Sequence, residues 1–212
     1  MEEQQQIKLE QHIATQARKT EEASGAAKLC ARVSAKENLF SLHSGSAFYR
    51  LQCIVAHVTF TNLKCNFTDR KIGNFQHCHI KAVNRTHKYI SVYANIYTKP
   101  LNNVSINIRS MRYNSGYKPF FFDVTFDACK FLKKPRHPIL ILFYNTLKDR
   151  SNMNHTCPYN HDIIVDKLYT GDHELEFTRY LPVPMGDYAI FVIFYVYNVE
   201  ACTVNLYLRI TN

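Results

Sequence analysis

From residue 55 onward, apolar and polar positions alternate along the chain with a period of two. The stretch Tyr89 to Tyr97 puts Ile90, Val92, Ala94 and Ile96 on one face and Tyr89, Tyr93, Asn95 and Tyr97 on the other. Asn103 to Arg109 turns Val104, Ile106 and Ile108 inward, and Thr203 to Ile210 does the same with Val204, Leu206, Leu208 and Ile210. Such alternation predicts antiparallel strands with one buried face. Further strands are expected near 56–66, 76–84, 119–126, 161–169 and 187–198. The segments between them carry turn chemistry: Lys99-Pro-Leu-Asn-Asn103, Tyr113-Asn-Ser-Gly-Tyr117 with Gly116 able to take φ > 0, and Pro182, Pro184 and Gly186. Eight short strands with regular turns predict an all-β fold, an immunoglobulin-like two-sheet antiparallel β-sandwich.

One segment breaks the pattern. Ala128-Cys-Lys-Phe-Leu132 reads as a helical turn stopped by Pro135, after which Ile139, Leu142, Phe143 and Leu147 recur at helical spacing. A short helical insertion near 127–148 is therefore expected on the sandwich or over one end. The strand near 187–198 is apolar on both faces. That excess fits a strand covered on its second side, for instance by the helix, or a strand lining a hydrophobic cavity.

The 212 residues divide into a polar segment, 1–54, expected to be disordered or marginally helical, and a single sandwich domain, 55–212. Of the net charge of +9, the first segment carries seven basic and six acidic residues, and the domain nineteen and eleven. The basic character of the domain could attract anionic lipid head groups, acidic glycans or nucleic acid. A solvated basic surface is the simpler reading, because no long Lys/Arg run is present.

Cysteines and sequons indicate the compartment. Cys30, Cys53, Cys65, Cys78, Cys129, Cys157 and Cys202 form no Cys-x-x-Cys pair, which argues against zinc-ribbon and thioredoxin chemistry. Cys65 and Cys78 flank a turn with Gly73 and Asn74, and Cys129 and Cys157 flank the helical segment. These two pairings are proposed, although sequence alone leaves the connectivity open. Seven is odd, so at least one thiol stays free or pairs between chains. Asn66-Phe-Thr, Asn84-Arg-Thr, Asn103-Val-Ser and Asn154-His-Thr fit the N-glycosylation acceptor pattern. Together they predict an extracellular, secreted glycoprotein. The first residues are polar with no apolar core of a signal peptide, whereas Leu51 to Ala56 resembles the tail of one. The expectation is that residues 1–50 come from an alternative start or a mis-assigned exon and that the functional protein begins near His57. No run of eighteen apolar residues predicts a membrane span.

A search for catalysis returns little. His77-Cys-His79 puts two histidines on one strand face but lacks a third ligand, so no metal is expected. Gly-x-Ser-x-Gly is absent, and six glycines build no phosphate loop or dinucleotide fingerprint, so no cofactor is expected. Asp162, Asp166, Asp172, Glu174 and Glu176 cluster without an acid–base pairing. Lys130, Lys133, Lys134, Arg136 and His137 form the densest basic patch, yet only Phe131 interleaves with it, which argues against a nucleic-acid reader. No catalytic residue is assigned, and the chain is expected not to be an enzyme.

Several phrases are distinctive: Phe60-Thr-Asn-Leu-Lys-Cys65, Asn74-Phe-Gln-His-Cys78, Asn103-Val-Ser-Ile-Asn107, Tyr113-Asn-Ser-Gly-Tyr-Lys-Pro-Phe120, Asp127-Ala-Cys-Lys-Phe-Leu132, Asn154-His-Thr-Cys-Pro-Tyr-Asn-His-Asp162 and Leu181-Pro-x-Pro-x-Gly-Asp-Tyr188. Over residues 57–212 they resemble a family of insect proteins, abundant in flies, catalogued as domain of unknown function 1091. That family is similar to the ML lipid-recognition superfamily of secreted sandwiches, whose sheets part to admit lipid. The resemblance implies an insect origin, Cys65, Cys78, Cys129 and Cys157 as disulfide cysteines, and a role in chemosensation. Cys30, Cys53 and Cys202 fall outside its phrases. The absence of Trp argues separately against an antibody-type Cys–Trp–Cys core.

Two functions compete. The first is a secreted, non-enzymatic binder of a small hydrophobic or lipid-like ligand, with Ile90, Val92, Ile106, Ile108, Phe191, Ile193, Leu206 and Leu208 as the expected lining. The second is a secreted protein-interaction module with a filled core, contacting a protein receptor through Tyr89, Tyr93 and Tyr97.

Overall fold

A computed structural model of the chain describes residues 57–84, 87–169 and 184–211. The segment 1–54, with Cys30 and Cys53, lies outside them, as do Pro182 and the acidic Asp172, Glu174 and Glu176. The strands are β1 (His57–Phe67), β2 (Gly73–Ala82), β3 (Lys88–Ile96), β4 (Val104–Tyr113), β5 (Tyr117–Asp127), β6 (Ile163–Tyr169), β7 (Gly186–Val196) and β8 (Val199–Thr211). Between β5 and β6 lie two short helices, α1 (Ala128–Lys133) and α2 (Pro138–Lys148). Five strands form one sheet in the order β1-β8-β7-β4-β5, and three form a second in the order β2-β3-β6. Every pairing is antiparallel. This is the two-sheet antiparallel sandwich with a helical insertion that the alternation predicts.

Local chemistry places the connections. The β4–β5 turn closes with Asn114 N–H donating to the Gly116 carbonyl at 2.8 Å, and Gly116 sits at φ 117°. The β7–β8 hairpin turns on Tyr197 and Asn198, both at positive φ, the backbone of a two-residue turn that matches strand twist. Asp127 caps α1: its carboxylate accepts the Lys130 backbone N–H at 2.9 Å. That backbone bond, strongest among its interactions, holds the Asp127 carboxyl below the usual range. Pro138 opens α2, where its missing N–H costs nothing.

Two expectations change. Ser91 falls on the polar side of β3 yet is buried, because the β3–β6 register slips between Ile90 and Val92 and Ser91 Oγ accepts the Lys167 N–H at 3.1 Å. The helical insertion packs on β5: Phe143 of α2 meets Phe122 at 5.5 Å between ring centroids, two residues from Val124. Val124 pairs with Ile108 on the face turned toward the other sheet. The apolar outer face of β7 instead carries neighbouring rings, with Tyr117 6.3 Å and Tyr207 5.9 Å from Phe191.

Both proposed disulfides form. Cys65 of β1 bridges to Cys78 of β2 across the sandwich, with Cα atoms 6.2 Å apart, and Cys129 of α1 bridges to Cys157 with Cα atoms 5.3 Å apart. A bridge stabilises chiefly by restricting the unfolded chain, by about 2–4 kcal/mol each. The separations are 13 residues for Cys65–Cys78 and 28 for Cys129–Cys157. The loop-length dependence then makes the Cys129–Cys157 bridge worth about 0.7 kcal/mol more. Chemical denaturation of the full chain should therefore show a larger loss for the Cys129→Ala/Cys157→Ala pair than for Cys65→Ala/Cys78→Ala. The reverse order would contradict this account.

Candidate ligand-binding site

The inward face of the large sheet is fixed by one bond. Cys65 must point toward the small sheet to reach Cys78, and Cys78 pairs with Val92 on β3. Residues directly opposed in a ladder share a face. Cys65 opposes Val204, Val204 opposes Val192, Val192 opposes Ile108 and Ile108 opposes Val124, so this row points between the sheets. Alternation gives the flanking rows: Phe67, Cys202, Phe194, Ile106 and Phe126 on one side, and Leu63, Leu206, Ile190 and Ser110 on the other.

Burial along these rows is uneven. At one end, inward Val58 and Phe60 of edge strand β1 are only 3% and 2% exposed, and Tyr188, Leu208 and Ile210 beside them are buried. At the other end Ile72, Ala94, Ile96, Leu101, Tyr159, Val196 and Ala201 form a packed cluster. Between these ends, Val192 and Phe194 of β7, Val204 and Leu206 of β8, and Ile106 of β4 are only half-buried. In a filled core the central strands are the driest. Here the middle of the five-stranded sheet keeps accessible apolar surface, while facing Ile90, Val92 and Ala94 of β3 are buried. Accessible apolar surface on β7 and β8 thus lies among buried neighbours, Ile108, Ile190 and Cys202.

The expected lining residues separate accordingly. Ile90, Val92, Ile106, Ile108, Leu206 and Leu208 point between the sheets, and of these Ile106 and Leu206 keep accessible surface. Phe191 and Ile193 do not join them. They oppose Arg109 and Asn107 on β4 and Asn205 and Thr203 on β8, which places them on the outer face. Sequence reasoning missed Val192, Phe194 and Val204. Hydropathy alone could not find the phase of β7, since both its faces are apolar. The polar neighbours that pair with Phe191 and Ile193 are the signal that could have.

A separate surface cleft of about 460 Å³ is lined by Cys65, Asn66, Phe67, Arg70, Asn74, Phe75 and Tyr97. None of the expected lining residues borders it. Asn66, Asn84, Asn103 and Asn154 are all exposed, as a glycan acceptor must be. Lys130, Lys133, Lys134 and Arg136 are exposed, and Lys130 pairs with Asp127 at 3.2 Å. His77 and His79 stand 6.2 Å apart between ring centroids on the outer face of β2, against Tyr93 and Tyr89. Among the described residues no group of three or more His, Cys, Asp or Glu could hold a metal. Among them, too, no helix is long and apolar enough to cross a membrane.

The fold defines a disulfide-bonded, two-sheet antiparallel sandwich. Residues 102–190 match the family model described as protein of unknown function (DUF1091). The matched span holds the phrases Tyr113 to Phe120, Asp127 to Leu132 and Asn154 to Asp162, which supports the family that those phrases resemble. No curated protein gives a significant match to the chain.

Cys202 is the free thiol among the described residues, and it is buried. Burial, reinforced by nearby Glu200, pushes its pKa up to about 12. At pH 8 it should therefore resist alkylation in the folded chain and react on denaturation, as peptide mapping of the labelled residue would show. The sign of the linked stability follows. The thiol is neutral in both states below its ordinary value of 9.0, so its contribution is intact there. As pH rises from that value to about 12, the unfolded chain releases the proton first and stability falls. Rapid native labelling at Cys202 would overturn both statements.

Proposed function

We propose that this chain is a secreted, N-glycosylated, non-enzymatic carrier of a small hydrophobic or lipid-like ligand held between its sheets. The observation that carries the reading is the half-burial of Val192, Phe194, Val204, Leu206 and Ile106 in the middle of the large sheet. Apolar surface left accessible between two sheets is stabilised when an apolar ligand covers it, at roughly 25 cal/mol per Å² before ordering costs. Two disulfides support an oxidising compartment, and four exposed sequon asparagines support passage through a glycosylating one. An insect origin, a kinship with the ML lipid-recognition proteins and a chemosensory role belong to the same reading. They rest on the motif resemblance.

Native mass spectrometry of the full oxidised chain should show a retained small mass that organic extraction removes. After extraction, the protein should take up a fluorescent fatty acid. A clean protein mass together with no uptake from a panel of apolar ligands would sink the carrier. Adding bulk at this surface gives a second check. Val204→Phe should cut ligand uptake at least about tenfold while leaving the ligand-free chain within roughly 1 kcal/mol of its original stability. In a filled core the same overpacking would cost about 1–3 kcal/mol.

A second reading, a protein-interaction module, is favoured by the rings on the outer faces. Tyr89, Tyr93 and Tyr169 share the outside of the small sheet with His77 and His79, and Tyr117, Phe191 and Tyr207 share that of the large one. Tyr97, expected to act with Tyr89 and Tyr93, instead borders the cleft. The mark of this reading is capture of a receptor by the ligand-free chain, lost with Tyr89→Ala and Tyr93→Ala and indifferent to Val204→Phe.

A further inference from the structure

We infer that the ligand is an apolar chain with a carboxylate head and that Arg112 holds that head. The inference rests on the carrier reading. Arg112 opposes Tyr188 on β7, which opposes Leu208 and then Phe60, so it sits on the inward row at one end of the sandwich. A charge on the inward face of a β-sandwich calls for a partner. Several other cations have one: Arg109 pairs with Asp123, Arg209 with Asp187, Lys99 with Asp162 and Lys130 with Asp127, while exposed Lys118 opposes Arg112 on β5. Among the described residues no carboxylate pairs with Arg112.

Aromatic rings hold it in place. The Arg112 guanidinium lies 5.6 Å from the Phe120 ring centroid and 5.8 Å from that of Tyr188. Such contacts orient a guanidinium without neutralising it, and the group cannot shed its proton. Gly186, the inward neighbour of Tyr188 along β7, adds no side chain, and a methyl there would lie 4.0 Å from Arg112 Nε. The half-buried cation thus keeps its charge. A carboxylate matches it, because its two oxygens can accept two parallel N–H bonds from one guanidinium.

The spacing suits a long molecule. Along β4 the residues after Arg112 on the same face are Ser110, Ile108 and Ile106. At about 3.4 Å per residue, Ile106 is roughly 20 Å from Arg112. Half-buried Leu206 lies on the Ser110 row, so accessible apolar surface begins one row beyond the guanidinium. Ser110 and Ile190 on that row are buried, so a chain anchored at Arg112 would cross them to reach Leu206, Val204 and Phe194 on β8 and β7.

The test compares oleate with oleyl alcohol, equal in chain and different in head, by equilibrium dialysis against the full, delipidated chain. Oleate should bind about tenfold more tightly than the alcohol, and the preference should shrink as salt rises. Arg112→Gln should lower oleate binding to the level of the alcohol and leave the alcohol unchanged, while Arg112→Lys should keep part of the preference. Unchanged alcohol binding also shows that the Gln variant is folded. If it misfolds, the Lys variant and the salt dependence of the natural chain decide. Equal binding of both ligands by the natural chain, or a preference that survives Arg112→Gln or is blind to salt, would overturn the anchor and leave the carrier standing. Binding of neither ligand would overturn both.

Discussion

The phase of β7 governs the rest of the large sheet. This strand is apolar on both faces, so nothing in its own side chains says which face belongs inside. Its neighbours decide. Asn107 and Arg109 on β4, and Thr203 and Asn205 on β8, claim the outside, where Asn107 bonds to Asp123 and Thr125 at 2.7 and 2.8 Å. The Cys65–Cys78 bridge claims the inside for the row of Cys65, Val204, Val192 and Ile108. A one-residue slip of β7 would turn Ile190 and Val192 to the outer face, beside these polar groups, and Phe191 and Ile193 to the inner one.

Much of this was legible because most strands announce their faces. In β3, Ile90, Val92, Ala94 and Ile96 alternate with polar or aromatic residues and all four are buried. The turns at Gly116 and the helical pattern from Ala128 to Leu147 were legible for the same reason, since each rests on a local rule. Position suggested the two disulfide pairs but left their connectivity open, and the structure forms both. What stayed illegible needed information from a second strand. Phe191 and Ile193 looked equivalent to Val192 and Phe194 until the ladder paired them with polar residues. Ser91 looked solvent-facing until the register slip against β6 buried it. Arg112 gave no sign in the sequence at all, because an arginine on a strand is ordinary until its row is known to point inward.

An interior that is dry at both ends and accessible in the middle needs something to hold the sheets apart. The ends do so. One is the packed cluster around Ile96, Leu101, Tyr159 and Val196, where Tyr159 also closes a backbone bridge with Leu101. The other is the buried set Val58, Phe60, Tyr188 and Leu208, where Lys88 of the small sheet donates to the Phe60 carbonyl at 3.0 Å. Between them, side chains that stay half-buried make fewer dispersion contacts than fully packed ones. The disulfides add stability by restricting the unfolded chain.

Charge placement follows the same division. On the outer faces and loops the basic residues lie in water or beside carboxylates, as Arg209 does with Asp187 at 2.7 Å, so the domain's excess positive charge is largely solvated there. Arg112 differs because of its row. Phe120 and Tyr188 flank its guanidinium, and no carboxylate among the described residues pairs with it. A cation so placed makes a poor contribution to stability, since partial desolvation is not offset by a partner. The proposed carboxylate ligand would supply that partner, and half-buried Leu206 on the neighbouring row is where its apolar chain would begin.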